Sequence, residues 1–365
     1  MTDTTVLPVK PKRDSRVELL RLYACLAVLV LHFKPSTIVN GTALLPRLFV
    51  TCLCTDAVGV FLLISGFFFF QGRKSYGKRM AACLQKILIP TLVYTLLVAT
   101  VYPLAIGSPV DYRNVAVEFV TTLLTWNPII HNAQHLWYMY LYVLLVAAYP
   151  LLRWVKEHWL TTPARQMALL VGSFAFLLLN DLTNNRILHA SMAPVTVLIP
   201  GVLFVLAGSV LYQLRHAVQG RPMVTVISLG IFVAANALRS VYMCRALNID
   251  PNNNHLYGWC TGVGFVCCAA LAVAVLSLRP FASRAVNALA SNTMEIYMLH
   301  PLISEILSAL GVRIWIVSTF LDGSERFTQY LKFVAIYPLL VFFVCSVLAV
   351  AYKAVLSLCK KIRNP

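Results

Sequence analysis

RVELLRLYACLAVLVLHF, residues 16–33, is an apolar run just long enough to cross a bilayer as a helix. It also carries charges that a plain anchor would lack. Glu18 and Arg21 stand three residues apart, so they share one helix face at the charged end of the run. His32 follows Arg21 by eleven residues, almost three whole turns, and so falls on nearly the same stripe. At 1.5 Å per residue it lies roughly 16 Å further along the axis. A carboxylate and a guanidinium at one membrane face, with an imidazole deep in the bilayer, are costly placements. Ionisable groups within spanning helices face a cavity or a partner as a rule. This helix reads as functional, and it sets the fold class: all-α, a polytopic integral membrane protein.

The remaining chain agrees with that class. Of 365 residues, 59% are hydrophobic and 12% charged, half the roughly 25% charged of a soluble domain, and mean hydropathy is +0.77. A net charge of +17 would suit nucleic acid, but the basic residues fall in short clusters between apolar runs. That is the pattern of loops obeying the positive-inside rule, so the expected partner is the lipid bilayer and not nucleic acid.

Ten apolar segments follow one another, at about 17–35, 48–71, 84–106, 134–154, 166–181, 194–214, 222–242, 256–278, 293–312 and 330–354, each near the roughly 20 residues that a crossing needs. With the N-terminus inside, 20 of the 30 lysines and arginines fall on the cytoplasmic side. Ten transmembrane helices with both termini cytoplasmic are therefore expected. Residues 1–15 read as a disordered basic tail, 16–358 as the membrane domain and 359–365 as a short basic tail. No small-residue cleavage site follows the first run, so no cleaved signal peptide is expected. The stretch 115–126, between the third and fourth segments, is apolar enough to lie on or dip into the membrane.

The ten cysteines show no zinc-ligand spacing, and no metal site is expected. They read as small apolar residues, with a Cys244–Cys260 disulfide left open.

Four further stretches carry polar chemistry. GVFLLISGFFFF (59–70) holds Ser65–Gly66, a pair suited equally to close helix packing and to a direct role. The basic loop 71–79 follows. Most of its charges suit anionic lipid headgroups, and Arg73, directly after the helix end, is the one best placed for a ligand. QHLWYMYLY (134–142) brings His135, Trp137 and Tyr138. An interfacial aromatic belt accounts for the aromatic residues but not for His135. SNTMEIYMLHP (291–301) brings Glu295, Tyr297 and His300, with Pro301 expected to kink the helix and free carbonyls beside His300.

Each of these signals is weak alone, but their order is specific. Glu-x-x-Arg, ten residues and His, then Ser-Gly-Phe with a basic loop, then His-Leu-Trp-Tyr, then Ile-Tyr-x-x-His resembles the integral-membrane acyltransferase family 3, from about Arg16 to the last helix. The resemblance implies ten spanning helices in the bacterial inner membrane. It also implies O-acyl transfer from cytoplasmic acyl-CoA, most commonly acetyl-CoA, to a glycan or lipid-linked saccharide at the outer side. Arg21 and His32 match the family's Arg-x10-His pair, Glu18 its usual acidic residue, and Arg73 best matches its basic residues after Ser-Gly-Phe. Leu22 and Tyr23 depart from the small residue that many members carry after the arginine. No second, soluble domain is expected, since only residues 353–365 follow the last apolar segment.

The chemistry of the donor fits these residues. Arginine holds phosphates bidentately, so Arg21 and Arg73, with Lys74 and Ser65, would hold the cofactor at the cytoplasmic mouth. The roughly 16 Å to His32 is about the reach of an extended pantetheine arm. His32 would act as general base on an acceptor hydroxyl, or would carry the acyl group itself. Glu18 most simply orients Arg21. His135, Trp137, Tyr138 and His300 are expected to meet the acceptor. A secondary transporter or flippase for a lipid-linked glycan or small anion is the alternative, with Glu, Arg and His forming a relay. Against it, the charges concentrate in one helix and its mouth.

Overall fold

The structure is a computed structural model that describes residues 14–72, 74–188, 193–250, 252, 258–320 and 326–363. The opening run is helix α1 (Ser15–Phe33). Asp14 caps it by accepting from the Arg16 amide at 3.1 Å, and so satisfies one of the amides that a helix start leaves orphaned. The Arg16 guanidinium is buried and pairs with Asp14 at 2.7 Å. It also donates to the carbonyls of Leu276 (2.7 Å) and Leu278 (3.0 Å), which pins the start of α1 to the end of a later helix.

Helices α2 (Leu45–Thr55) and α3 (Ala57–Phe69) follow as one long element. A small hairpin, β1 (Ile38–Val39) and β2 (Thr42–Ala43), precedes them. Its turn residues Asn40 and Gly41 both take positive φ, 50° and 78°, which an Asn-Gly pair tolerates and a tight two-residue hairpin requires. Next come α4 (Tyr76–Cys83), a π-helical turn (Leu84–Leu88), α5 (Ile89–Ala105) and the mostly exposed α6 (Tyr112–Thr125). The π turn has a local cause. Pro90 lacks an amide and its ring crowds the carbonyl four residues back, so the helix widens there.

The rest is α7 (Trp137–Ala147), α8 (Tyr149–Trp154), α9 (Pro163–Leu182), α10 (Leu198–Val218), α11 (Pro222–Ile249), α12 (Gly262–Leu276), α13 (Arg284–Ala290), α14 (Thr293–Ala309), α15 (Val312–Phe320) and α16 (Phe327–Arg363). Among the described residues the fold is all-α apart from that hairpin, and the protein is a multi-pass membrane protein. Among the described residues six helices are long and apolar enough to cross a membrane, or eight if two bent pairs each count as one. Arg16, Glu18 and Arg21 keep α1 outside that criterion, and the 15 residues of α12 fall short of it.

Pro301 lies inside α14, which runs through it, and a 77° bend comes later, between Ala309 and Val312, where Gly311 takes φ +73°. No disulfide joins Cys244 to Cys260; both are free thiols.

Packing follows from small residues. A Cβ at Gly66 would lie 2.1 Å from the Val205 carbonyl oxygen, and one at Gly208 would lie 2.2 Å from that of Leu63. The backbones of α3 and α10 are therefore in contact, as small residues permit in a membrane. A second lock is ionic. Arg239 of α11 has a side chain with 0% exposure and holds Asp56, between α2 and α3, through two bonds of 2.9 and 3.1 Å. Thr261 accepts from the same guanidinium at 3.0 Å. Fixed dipoles around such a pair offset part of its desolvation.

Candidate active site

The Glu18–Arg21 pair read in α1 is present. Arg21 donates to Glu18 at 2.6 Å, with the Glu18 side chain only 4% exposed and that of Arg21 22% exposed. Arg21 opens onto a cleft of about 480 Å³ formed by α1, α3, α4, the π turn, α7, α8 and α14. Among the described residues its basic lining consists of Arg21, Lys74, Arg79 and Lys86, and no carboxylate lines it. Lys86 arrives from the π turn. Arg79 is held by the carbonyls at the end of α3, donating to Phe69 (3.0 Å), Gln71 (2.6 Å) and Gly72 (3.1 Å), and its guanidinium lies 4.4 Å over the Tyr149 ring. An arginine so placed satisfies carbonyls that a helix end leaves open, and it keeps its charge beside the cleft.

The rest of the lining is largely aromatic and includes Ser65, Tyr138 and Tyr297. The Ser65 hydroxyl donates to the Phe61 carbonyl at 2.9 Å and sits 3.4 Å from the Tyr138 hydroxyl. Behind Tyr297 lie three imidazoles. The ring centres are 4.8 Å apart for His32 and His300, 5.0 Å for His135 and His300, and 6.3 Å for His32 and His135. Tyr297 packs on both His135 (5.6 Å) and His300 (6.0 Å), and its hydroxyl donates to the His135 carbonyl. His135 and His300 are buried, whereas His32, in the last turn of α1, is the exposed member.

Pro301 has a role here. It cannot donate to the carbonyl of Tyr297, four residues earlier. That carbonyl instead accepts from His300 Nδ1 at 2.8 Å. A carbonyl only accepts, so His300 Nδ1 carries the hydrogen and Nε2 keeps a lone pair. Among the described residues His300 Nε2 and His135 Nε2 are both buried without a hydrogen-bond partner. Two unsatisfied imidazole nitrogens beside an exposed third are a costly arrangement, of the kind found where polar groups await a substrate.

A family model described as an acyltransferase domain matches residues 14–356, nearly the whole chain. The chain belongs to acyltransferase family 3. It matches no curated protein and no solved structure. As a family member it is a membrane acyltransferase, and the cleft and the imidazoles are the features of its fold to which that chemistry can be attached.

The residues singled out from sequence divide into groups. Arg21, Ser65, Lys74 and Tyr138 line the cleft, while Glu18 supports Arg21 from below its surface. His32, His135 and His300 form the cluster behind it. Trp137 belongs to neither: it is buried and stacks on Trp259, in the turn before α12, with centres 6.2 Å apart and planes 6° from parallel. Arg73 lies outside the described residues. Sequence reasoning missed Arg79 and Lys86 as cleft residues and Tyr297 as the wall between cleft and imidazoles. A lysine just before Ile-Leu-Ile-Pro was the available signal for Lys86. Among the described residues no group of His, Cys, Asp or Glu is arranged to hold a metal ion.

Proposed function

We propose that this acyltransferase takes an acyl group, most simply acetyl, from acyl-CoA on the cytoplasmic side and delivers it to a hydroxyl of a glycan or lipid-linked saccharide on the outer side. The carrying observation is the cleft whose mouth holds four cations and no acid, and whose aromatic end packs against the imidazole cluster. A polyanion with a long uncharged arm suits that gradient. Its phosphates would meet Arg21, Lys74, Arg79 and Lys86, joined by Arg73, and the arm would run along Phe61, Tyr138 and Tyr297 toward His32. The volume lies within the range of small-molecule sites.

In the transfer, the acceptor oxygen attacks the thioester carbonyl and the carbon–sulfur bond breaks, while the hydroxyl proton passes to His32 and the thiolate leaves to be protonated as CoA. In the carrier variant, His32 itself first displaces the thiolate and the acceptor then takes the acyl group from it. His135 and His300, with open Nε2 positions, would contact the acceptor or hold His32. The reading brings with it ten crossings of the bacterial inner membrane with both termini cytoplasmic, as the lysine and arginine bias supports.

The test is purified protein in detergent with radiolabelled acetyl-CoA and a membrane glycan fraction. Release of CoA together with label on a saccharide is expected. Counterflow of intact lipid-linked glycan without CoA release would favour the transporter reading instead.

A further inference from the structure

Across α3 from the donor cleft lies a second cleft of about 310 Å³, lined in part by Gln71, Lys156, Ser209, Tyr212, Gln213 and Arg215. We propose that it holds the phosphate headgroup of an anionic phospholipid from the leaflet on the basic side of the protein. This proposal does not rest on the donor reading.

Basic residues at a membrane face are by default a topology signal, and three observations separate this pair from that background. First, the cations are held in place and not left as solvated tips. The Arg215 guanidinium lies 3.9 Å over the Tyr212 ring and donates to the Tyr212 carbonyl at 2.6 Å, and the Lys156 ammonium lies 4.8 Å over Phe70. Second, the acids that could neutralise them are engaged elsewhere. Glu157 pairs with Arg153 at 2.7 Å, Asp14 pairs with Arg16 at 2.7 Å, and among the described residues neither Lys156 nor Arg215 forms an ion pair. Third, Trp154 and Trp159, on the same bent segment as Lys156, are exposed. Exposed tryptophans mark the headgroup level of a bilayer.

The chemistry is that of a phosphodiester. Arg215 and Lys156 supply charge. Gln213 accepts from Gln166 at 3.3 Å and retains its own amide hydrogens as donors. The exposed apolar side chains of Leu214, Met167 and Val171 supply a lipid-facing path for acyl chains beside the headgroup. The volume equals roughly ten waters at about 30 Å³ each, enough for a phosphoglycerol group.

The experiment reconstitutes the full chain into nanodiscs of phosphatidylcholine mixed with phosphatidylglycerol and counts retained lipids by native mass spectrometry. Wild type is expected to keep one phosphatidylglycerol per chain. Lys156→Gln with Arg215→Gln should lower its retention about ten-fold or more, the loss expected of charge-assisted contacts. Arg279→Gln with Arg284→Gln removes the same charge from exposed positions outside the cleft and should leave retention unchanged. Equal retention in all three proteins, or equal loss in both double variants, would overturn the proposal. Displacement of the lipid by inorganic phosphate would overturn it too, since the site would then be a free-anion site. If the first double variant is not monodisperse, Lys156→Gln and Arg215→Lys are tested singly. Each should lower retention several-fold, and wild-type retention in both refutes the site.

Discussion

Arg21 has two tasks in the proposed reaction, and a pair of substitutions separates them. It neutralises Glu18 at 2.6 Å, and it faces the donor cleft. Arg21→Ala should therefore lose both stability and donor affinity. Breaking a fully buried ion pair by removing one partner costs ~3–5 kcal/mol. Arg21 is 22% exposed and Glu18 keeps a further interaction, so roughly 2–3 kcal/mol is the better expectation. Loss of a charge-assisted contact to a phosphate is a separate effect of about 1.5–3 kcal/mol, or roughly 10- to 150-fold in the apparent KM for acetyl-CoA. Adding Glu18→Gln to Arg21→Ala removes the charge of the carboxylate that has lost its arginine. Thermal unfolding in detergent should then return most of the way to wild type, while the KM for acetyl-CoA stays raised. Recovery of KM along with stability would refute the reasoning, since Arg21 would then act only by neutralising Glu18. An unrecovered melting temperature with normal KM would show that the arginine packs but does not hold the donor.

The remaining predictions are shorter. His32→Ala is expected to abolish acyl transfer with expression and membrane insertion near wild type; turnover above about a tenth of wild type, a loss below the usual effect of a general base, would refute its role. Gly66→Ala should destabilise the protein by about 1–3 kcal/mol or more, because its Cβ would meet the Val205 carbonyl at 2.1 Å, and detergent melting curves will show it. On a background lacking the native cysteines, an impermeant thiol reagent added from outside should label a cysteine at position 252 and not one at 78; the reverse would invert the topology. Burial pushes the Asp14 carboxyl up, but the Arg16 side chain and amide outweigh it and hold the group below its usual range. A lowered carboxyl pKa adds stability above about pH 4 that is lost as pH falls through the folded value. Asp14→Asn should thus flatten the acid limb of the melting-temperature profile.

The sequence by itself determined the class and the helices. Apolar runs of spanning length and an aligned Glu18–Arg21–His32 stripe are local properties, written in residue spacing, and the helices fall close to the segments read from them. The family was legible for the same reason, because its motifs are short and ordered along the chain. Tertiary structure decided the rest. His32, His135 and His300 lie more than a hundred residues apart in succession, and whether such residues touch depends on how α1, α7 and α14 pack. Trp137 shows the converse: a promising neighbour in sequence that faces away from the cleft, because successive helix positions point about 100° apart. Arg239 carried no local sign of Asp56, and only the fold brought those two charges together. The role of Pro301 was half legible. The missing amide is a fact of sequence, but the imidazole that takes the freed carbonyl is set by its rotamer in the packed interior. Periodicity specifies which face of a helix is special; only the packing of one helix on another specifies what that face meets.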